Sequence, residues 1–206
     1  MYQLYGKASS RAFRVLWLLE ELGLPYDHQK VAPQSDEVRA HNPAGKVPVL
    51  IADDEALTDS TAIMTFLTDR HGALTFPPGS IERARQDGLT NFINDELDAA
   101  LWIVTRHAFL YPEERRVPEI KPSVAAEFER SINELARRLG DGPFLMGEQM
   151  TVPDILAVHC AGWAQVLGFP LPDDGFNTYV ERLKTRPAYQ RVREMREGWS
   201  KPPSPE

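Results

Sequence analysis

The sequence predicts two consecutive units, an α/β domain with a mixed four-stranded sheet followed by an all-helical domain. Short β-prone segments alternate with helical patterns in the first 75 residues, whereas only helical patterns follow residue 82. Between them, Phe76–Ser80 combines two prolines and a glycine, which disfavour a continuous helix. We expect a first domain at 1–75, a linker at 76–82 and a second domain at 83–206, because 206 residues suffice for two small domains.

The first predicted strand is Tyr2–Tyr5, a short β-prone segment. A helix is predicted at Arg11–Leu22, where apolar residues recur at helical spacing and where Ser9 or Ser10 can cap the start. A second strand is predicted at Tyr26–Val31. A strand–helix–strand unit of this length indicates a right-handed parallel crossover.

Two further strands and a helix complete the predicted first domain. Val47–Ile51 is β-prone, and its proline, Pro48, belongs at the start or edge of the strand. Ala56–Thr58 returns after a polar turn, and Ser60–His71 is helical. The resulting order, β-α-β and then β-β-α, is typical of a thioredoxin-like fold.

Five helical patterns predict a bundle in the second domain. Two of these patterns are followed by glycines at C-cap positions, and the same two have prolines in their first turn. The patterns cover about Ile81–Leu110, Pro122–Leu139, Pro153–Leu167, Phe176–Thr185 and Pro187–Glu197. We expect residues 201–206, which include three prolines, to form a frayed tail.

Composition excludes several classes of partner. The net charge of -7 leaves no basic face for nucleic acid. No apolar stretch approaches the roughly 20 residues that span a bilayer, and the N-terminus does not have the pattern of a signal peptide, so we expect a cytoplasmic protein with no membrane partner. Cys160, the only cysteine, allows neither an intrachain disulfide nor a cysteine-rich metal site. We expect no metal.

Several local motifs together point to one family. They are Leu4–Gly6, Ser10–Tyr26, Asn42–Leu50 and Asp59–Ile63 in the first half, and Phe144–Gly147 followed by Thr151–Ile155 in the second. In identity, order and spacing these motifs resemble those of bacterial glutathione S-transferases, and the serines before the first helix resemble the serine-type, theta/zeta-like members. The resemblance covers nearly the whole chain.

The resemblance implies an enzyme that uses glutathione as its co-substrate and conjugates the glutathione thiolate to a small hydrophobic electrophile. Reduction of hydroperoxides is a variant of this activity, and a homodimer is expected by analogy. The alternative is a non-catalytic binding or protein-interaction module of the same family, because fold does not fix function. A thiol–disulfide oxidoreductase is disfavoured, because a serine stands where the nucleophilic cysteine would be.

The catalytic candidates follow from the chemistry of the thiol. A free thiol has a pKa near 8.5, so it is mostly protonated at neutral pH, and a hydroxyl donor at a helix N-terminus can lower that pKa. In the family pattern Ser10, four residues before Arg14, has the commoner spacing of the catalytic hydroxyl, and Ser9 has a variant spacing. Either serine can instead serve only as an N-cap. Tyr5 is the less favoured candidate, because a strand aromatic usually packs in the core.

The resemblance also implies the residues that bind glutathione. Val47 and Pro48 correspond to a cis-proline turn that exposes backbone groups to the cysteine unit, although a trans edge proline is the alternative. Lys46 can meet the glycyl carboxylate or remain a solvated loop lysine. Asp59 and Ser60 open the third helix, where a helix N-terminus favours the γ-glutamyl α-carboxylate and Asp59 can pair with the ammonium group. The same pair can also be a simple helix cap.

In the second domain, the residues that open the third helical pattern, Thr151–Asp154, have capping-box spacing, and we assign them to folding. Trp102, Arg106 and Phe109 share one face of a helix, which the resemblance assigns to the electrophile pocket. Core packing is the stronger interpretation for Trp102. Arg106 is the better functional candidate, because burying a guanidinium without a partner is costly.

Overall fold

The computed structural model describes residues 1–172 and 175–196. These described residues form two compact units, of which the first comprises 1–67 together with 185–196 and the second comprises the described residues between 68 and 184. The predicted fold class is confirmed, because the first unit contains a mixed four-stranded sheet and the second is helical. The domain limits drawn from the sequence pattern, 1–75 and 83–206, stay a prediction.

The sheet has the strand order β2-β1-β3-β4. β1 pairs with β2 in parallel, as the crossover predicts, whereas β3 pairs antiparallel with both β1 and β4. The strands are β1 (Tyr2–Tyr5), β2 (Tyr26–Gln29), β3 (Val49–Ala52) and β4 (Glu55–Thr58).

Two predicted strands are shorter than expected, and the backbone shows why. β2 ends at Gln29 because the Val31 N–H donates to the Gln29 carbonyl at 2.8 Å, which turns the chain. β3 begins at Val49 because Pro48 has no N–H to donate to a neighbouring strand. The peptide bond between Val47 and Pro48 is cis, as the resemblance implied.

Three helices accompany the sheet, namely α1 (Ala12–Leu22), α2 (Asp36–Arg39) and α3 (Ser60–His71). α1 and α3 were predicted, and α2 was not. The sequence signal for α2 is local, because Ser35 caps it by accepting the Val38 N–H at 3.4 Å and two acidic residues fill its first turn. In α1 every residue from Ala12 to Leu19 is buried, including the charged Arg14.

The second unit contains α4 (Ile81–Phe92), α5 (Ala99–Thr105), α6 (Lys121–Leu139), α7 (Val152–Leu167) and α8 (Gly175–Lys184). The single helix predicted at 81–110 has the right extent, but π-helical segments at Ile93–Asp98 and Arg106–Leu110 follow α4 and α5. A π-helical turn adds one residue to the repeat, which a hydrophobic pattern does not reveal. Within the described residues, no helix combines the length and apolarity needed to cross a membrane.

α7 begins with the predicted capping box. Asp154 is fully buried and accepts four hydrogen bonds, from the Thr151 N–H at 2.7 Å, the Thr151 hydroxyl at 3.3 Å, the Leu145 N–H at 2.9 Å and the Tyr179 hydroxyl at 2.7 Å. Burial raises the pKa of the Asp154 carboxyl despite these hydrogen bonds, and burial beside that carboxyl also raises the pKa of Tyr179. One carboxylate therefore joins a loop, α7 and α8.

α9 (Pro187–Glu194), the last helix among the described residues, packs against α1 in the first unit. Its extent is shorter than the predicted 187–197, whose last residue lies outside the described residues, as does the predicted tail at 201–206. Arg186 donates two hydrogen bonds to the Glu21 carboxylate, from Nε to Oε1 at 2.6 Å and from Nη2 to Oε2 at 2.7 Å. The Tyr189 ring meets the Trp17 and Phe13 rings edge-on, with centroids 5.0 and 5.2 Å away.

We expect Asp154→Asn to lower the free energy of unfolding by about 3 kcal/mol, because an amide nitrogen would face two donors and leave them without an acceptor. Urea denaturation followed by circular dichroism would measure this. Asp141→Asn, at an exposed position, is the matched control and should change stability by less than about 0.5 kcal/mol. An Asp154 variant as stable as this control would contradict the capping role.

A second stability prediction concerns Glu20, whose pKa reflects opposing effects. Partial burial raises the pKa, but hydrogen bonds from Tyr26 at 2.6 Å and Arg191 at 2.5 Å bring it below the ordinary 4.5. A lowered folded-state pKa stabilises the fold above about pH 4.5, and this contribution is lost as the pH falls through the folded-state pKa. As the pH falls from about 4.5 to 3, we expect the free energy of unfolding of the Glu20→Gln variant to decrease less than that of the parent protein. Urea denaturation at each pH would measure both decreases.

The matched control for Glu20→Gln is Glu82→Gln, at an exposed position of α4. It should leave the slope of stability against pH unchanged over the same range. An acid slope in Glu20→Gln as steep as that of the parent protein would show that the Glu20 contacts do not favour its ionised form.

Candidate active site

Strand register gathers the candidate residues of the first unit at one edge of the sheet. Tyr5 pairs with Gln29 on one side and Val49 on the other, and Val49 pairs with Thr58. The C-terminal ends of β1 and β4 and the N-terminal end of β3 therefore share this edge. The segments at 6–11, 46–48 and 59–60, which carry the candidates, all join the sheet here.

Gly6 fixes the course of the first of these segments. Its φ is +132°, and a Cβ at this position would lie 3.0 Å from the Cβ atoms of both Ala12 and Val47. The Gly6 N–H donates to the Gln29 carbonyl at 3.0 Å, and the Gly6 carbonyl lies 2.8 Å from Nε2 of His28. The absence of a side chain thus lets the segment after β1 pass close to the turn before β3.

Of the two candidate serines, Ser10 contacts the start of α1, whose N-cap residue is Arg11 and has no side-chain cap. Its hydroxyl accepts the Ala12 N–H at 3.1 Å and donates to the Lys7 carbonyl at 2.7 Å. Ser9 is half-buried, and its hydroxyl makes no hydrogen bond with the residues that the structure describes. Both serines lie directly before α1, where the first backbone N–H groups make the potential positive.

Tyr5, the third catalytic candidate, is half-buried in β1. Its ring packs against the ring of His41, with centroids 4.9 Å apart. The assignment of Tyr5 to packing rather than to catalysis stays a prediction.

Arg14 links the start of α1 to the start of α3. Both Arg14 and Ser60 are buried, and Nη1 of Arg14 donates to Oγ of Ser60 at 3.4 Å. Sequence reasoning used Arg14 only to measure the spacing to Ser10, so its contribution to this site was missed. The available signal was a charged residue inside an otherwise apolar helical run.

Asp59 is the N-cap of α3. Its Oδ1 accepts the N–H groups of Thr61 at 2.8 Å and Ala62 at 3.1 Å, and its φ is +70°. Two of the first N–H groups of α3 are therefore already bonded. The hydroxyl and N–H of Ser60, with the nearby charge of Arg14, are the groups that can still attract an anion at this helix N-terminus.

The cis turn before β3 has a buried proline and an exposed lysine. Pro48 is buried, Val47 is half-buried, and Lys46 is exposed. The Lys46 carbonyl accepts a hydrogen bond from Nδ2 of Asn42 at 2.9 Å, so the backbone of this turn is held while the Lys46 side chain faces solvent.

The second unit contains the three residues predicted for the electrophile pocket. The Arg106 guanidinium lies 5.8 Å from the Trp102 ring centroid, and Nη1 of Arg106 donates to the Tyr111 hydroxyl at 3.2 Å. Phe109 lies one turn further along and is 40% exposed. Trp102 and Arg106 are thus in contact, whereas Phe109 faces solvent. Within residues 1–172 and 175–196, no group of three or more His, Cys, Asp or Glu side chains could hold a metal.

Comparison with known families identifies both halves of the chain. Residues 8–70 match the model of the glutathione S-transferase N-terminal domain, and residues 82–194 match that of the C-terminal domain. The chain belongs to the glutathione S-transferase family. The two matches cover most of the sequence, and the chain is accordingly a glutathione transferase enzyme.

Two similar proteins are themselves named as glutathione transferases, and a third is an elongation factor. Glutathione S-transferase GstA of Escherichia coli O157:H7 is 29% identical over 166 residues, which are 79% of each chain. The crystal structure of a glutathione transferase from Methylococcus capsulatus is 26% identical, with a TM-score of 0.83 over 95% of this chain and 98% of that one. Elongation factor 1-gamma 2 of Oryza sativa subsp. japonica is 27% identical over 73% of this chain but 37% of its own length.

We expect Gly6→Ala to lower the free energy of unfolding by about 2 kcal/mol, because its Cβ would press on Ala12 and Val47 in a backbone conformation that favours glycine. Denaturant unfolding would measure the change. Gly88→Ala is the matched control, because a Cβ at that helical position meets nothing within 4 Å and should stabilise the protein slightly. Equal effects of the two substitutions would contradict the close approach at Gly6.

Proposed function

We propose that this glutathione transferase binds glutathione at the edge of the sheet in its first unit and uses Ser10 to stabilise the thiolate, as in serine-type, theta/zeta-like members of the family. The observation that carries the proposal is the convergence of three segments, bearing Ser10, the cis Pro48 and Ser60, on one row of paired strand residues. Each segment offers a different kind of contact to the tripeptide.

Ser10 is suited to donate a hydrogen bond to a thiolate. Its oxygen already accepts the Ala12 N–H, and a hydroxyl that accepts one hydrogen bond becomes a stronger donor. In the proposed complex, the hydroxyl proton turns from the Lys7 carbonyl to the sulfur, while the hydrogen bond from the Ala12 N–H remains. The N-terminus of α1 adds a positive potential, so both effects favour the ionised thiol.

The remaining parts of glutathione find matching groups at the same edge. In the proposed complex, the backbone of Val47, held by the cis bond to Pro48, pairs with the cysteine unit. Lys46 attracts the glycyl carboxylate from its exposed position. Each of these contacts orients the peptide, and none takes part in the transfer itself.

The γ-glutamyl end is proposed to bind at the start of α3. Ser60 donates from its hydroxyl and N–H to the α-carboxylate, and the buried Arg14 adds a positive charge 3.4 Å from the Ser60 oxygen. Asp59 caps α3 with Oδ1, and its carboxylate charge remains available to attract the ammonium group.

In the proposed reaction, the glutathione sulfur forms a bond to an electrophilic carbon of a small hydrophobic molecule, and the leaving group departs with its electron pair. The same thiolate can reduce a hydroperoxide, in which case the O–O bond is cleaved to give an alcohol and water while two glutathione molecules are oxidised to a disulfide. We propose that the enzyme works in the cytoplasm as a homodimer.

A second candidate is a non-catalytic binding module, which the similarity to elongation factor 1-gamma favours. The two candidates differ in turnover. A module of this kind would bind glutathione or a protein partner without accelerating thiol transfer to any of a panel of electrophiles. Acceleration well above the uncatalysed reaction would favour the enzyme.

We expect Ser10→Ala to raise the pKa of bound glutathione toward the free-thiol value of about 8.5, because the hydroxyl donor is lost while the binding contacts remain. A pH titration of thiolate ultraviolet absorbance would measure the pKa, and calorimetry would measure affinity. Ser9→Ala is the matched control and should leave the pKa unchanged.

The opposite result, an unchanged pKa in Ser10→Ala and a raised one in Ser9→Ala, would move the role to Ser9. If neither variant changes the pKa, Tyr5→Phe becomes the decisive variant. No detectable binding of millimolar glutathione by the parent protein would overturn the proposed function.

A further inference from the structure

Gln34 binds the loop that precedes the cis turn through both its backbone and its side chain. Its N–H donates to the Gly45 carbonyl at 2.8 Å, and its Nε2 donates to the carbonyls of Ala44 and Gly45 at 3.0 and 3.3 Å. Its Oε1 accepts a hydrogen bond from Nη2 of Arg39. Both ends of the Gln34 side-chain amide are therefore bonded within the first unit.

Arg39, the last residue of α2, and Asn42 hold the rest of this loop. Nη1 of Arg39 donates to the Pro43 carbonyl at 3.2 Å, and Nδ2 of Asn42 donates to the Lys46 carbonyl at 2.9 Å. The four consecutive carbonyls of residues 43–46 thus all accept hydrogen bonds from an earlier part of the first unit. The backbone of the loop is held along its whole length.

Gln34 adopts a backbone conformation that disfavours its residue type. Its φ is +71°, in the left-handed region that residues other than glycine rarely adopt. Its side chain lies against Gly45, where an added Cβ would be 2.6 Å from Oε1 of Gln34. A strained conformation persists only where the surrounding contacts fix it, and such conformations cluster at functional sites. The conformation of Gln34 therefore points to a role beyond packing.

The run of bonded carbonyls ends at Val47. Among the residues that the structure describes, neither the N–H nor the carbonyl of Val47 has a hydrogen-bond partner. Pro48, which follows, has no N–H, and β3 begins only at Val49. Val47 therefore offers one donor and one acceptor at the end of a backbone whose preceding carbonyls are occupied.

We propose that Gln34 and Arg39 are positioning residues for glutathione, which hold the loop at 43–46 so that the backbone groups of Val47 stay aligned with the cysteine unit. Neither side chain touches glutathione. This role rests on the proposed function, because it requires glutathione to pair with Val47. The physical reason is preorganisation, since a loop that samples other conformations binds with an affinity reduced by the fraction of time spent in the competent one.

The first experiment measures the loop itself, without glutathione. Gln34→Gly removes the side chain and suits a positive φ, so it adds no strain. Nitrogen-15 relaxation should show lower backbone order parameters for Gly45, Lys46 and Val47 than in the parent protein, because the loop loses donors that hold it. Asp54→Gly is the matched control, because Asp54 is exposed, has a φ of +65° and lies in the turn between β3 and β4. It should leave these order parameters unchanged.

The second experiment measures affinity by calorimetry for glutathione and for γ-glutamylcysteine, which lacks the glycyl carboxylate. Gln34→Gly and Arg39→Gln should each weaken the binding of both ligands about three- to tenfold, because both pair with Val47 and the lost hydrogen bonds lower the competent fraction of the loop. Arg130→Gln, at an exposed position of α6, should change neither affinity. A loss confined to glutathione would mean that Arg39 binds the glycyl carboxylate directly, and would overturn the positioning role.

The third experiment separates positioning from catalysis. With 1-chloro-2,4-dinitrobenzene as the electrophile, the KM for glutathione should rise in Gln34→Gly and Arg39→Gln by a factor similar to the loss of affinity. The kcat and the pKa of the bound thiol should stay unchanged, because Ser10 lies on a different segment. Arg39→Lys, which keeps the charge but not the fork, should give an intermediate KM. Melting temperatures close to that of the parent protein would establish that each variant is folded.

The outcomes separate this inference from the proposed function. If the parent protein and both variants bind glutathione equally well, the positioning role is overturned and the proposed function stands. Unchanged order parameters in Gln34→Gly also overturn the role, even if glutathione binds. If the parent protein binds neither ligand, the proposed function and the positioning role are both overturned, whatever the order parameters show.

Discussion

The register of the sheet is the constraint on which the site depends. Tyr5, Val49 and Thr58 lie in one row because β1, β3 and β4 pair without a bulge. Each strand has only four residues, so a slip by one position would move every side chain to the opposite face and separate the segments that the row brings together. The cis turn at Pro48 and the close approach at Gly6 both depend on this alignment.

The N-termini of α7 and α3 both have an aspartate that accepts backbone hydrogen bonds, but the two aspartates have different roles. Asp154 at α7 accepts four hydrogen bonds and is fully buried, so its capacity to accept is used up within the fold. Asp59 at α3 caps two N–H groups and is exposed, while the adjacent Ser60 lies beside a buried guanidinium. The first arrangement stabilises the protein, whereas the second leaves groups that a ligand can use.

Most of the fold and much of the candidate site could be predicted from local sequence patterns. The positions of Ser10, Pro48 and Ser60 follow from motifs within a few residues, as does the capping box at α7. The Arg14–Ser60 contact and the packing of α9 on α1 join residues far apart in sequence, so no local pattern encodes them. The nearly continuous apolar run Ala12–Leu19 was an available hint, because a helix that is apolar on all sides needs covering on all sides.

The return of α9 to α1 has a consequence for the order in which the protein is made. The Arg186–Glu21 pair spans 165 positions, so the first unit, although it contains the earliest residues, lacks this contact until the chain beyond Lys184 has left the ribosome. Until then, Trp17 and Phe13 are without the Tyr189 ring that meets them in the finished fold. The nascent chain therefore carries an apolar surface through most of its synthesis, a state in which chaperone binding and aggregation compete.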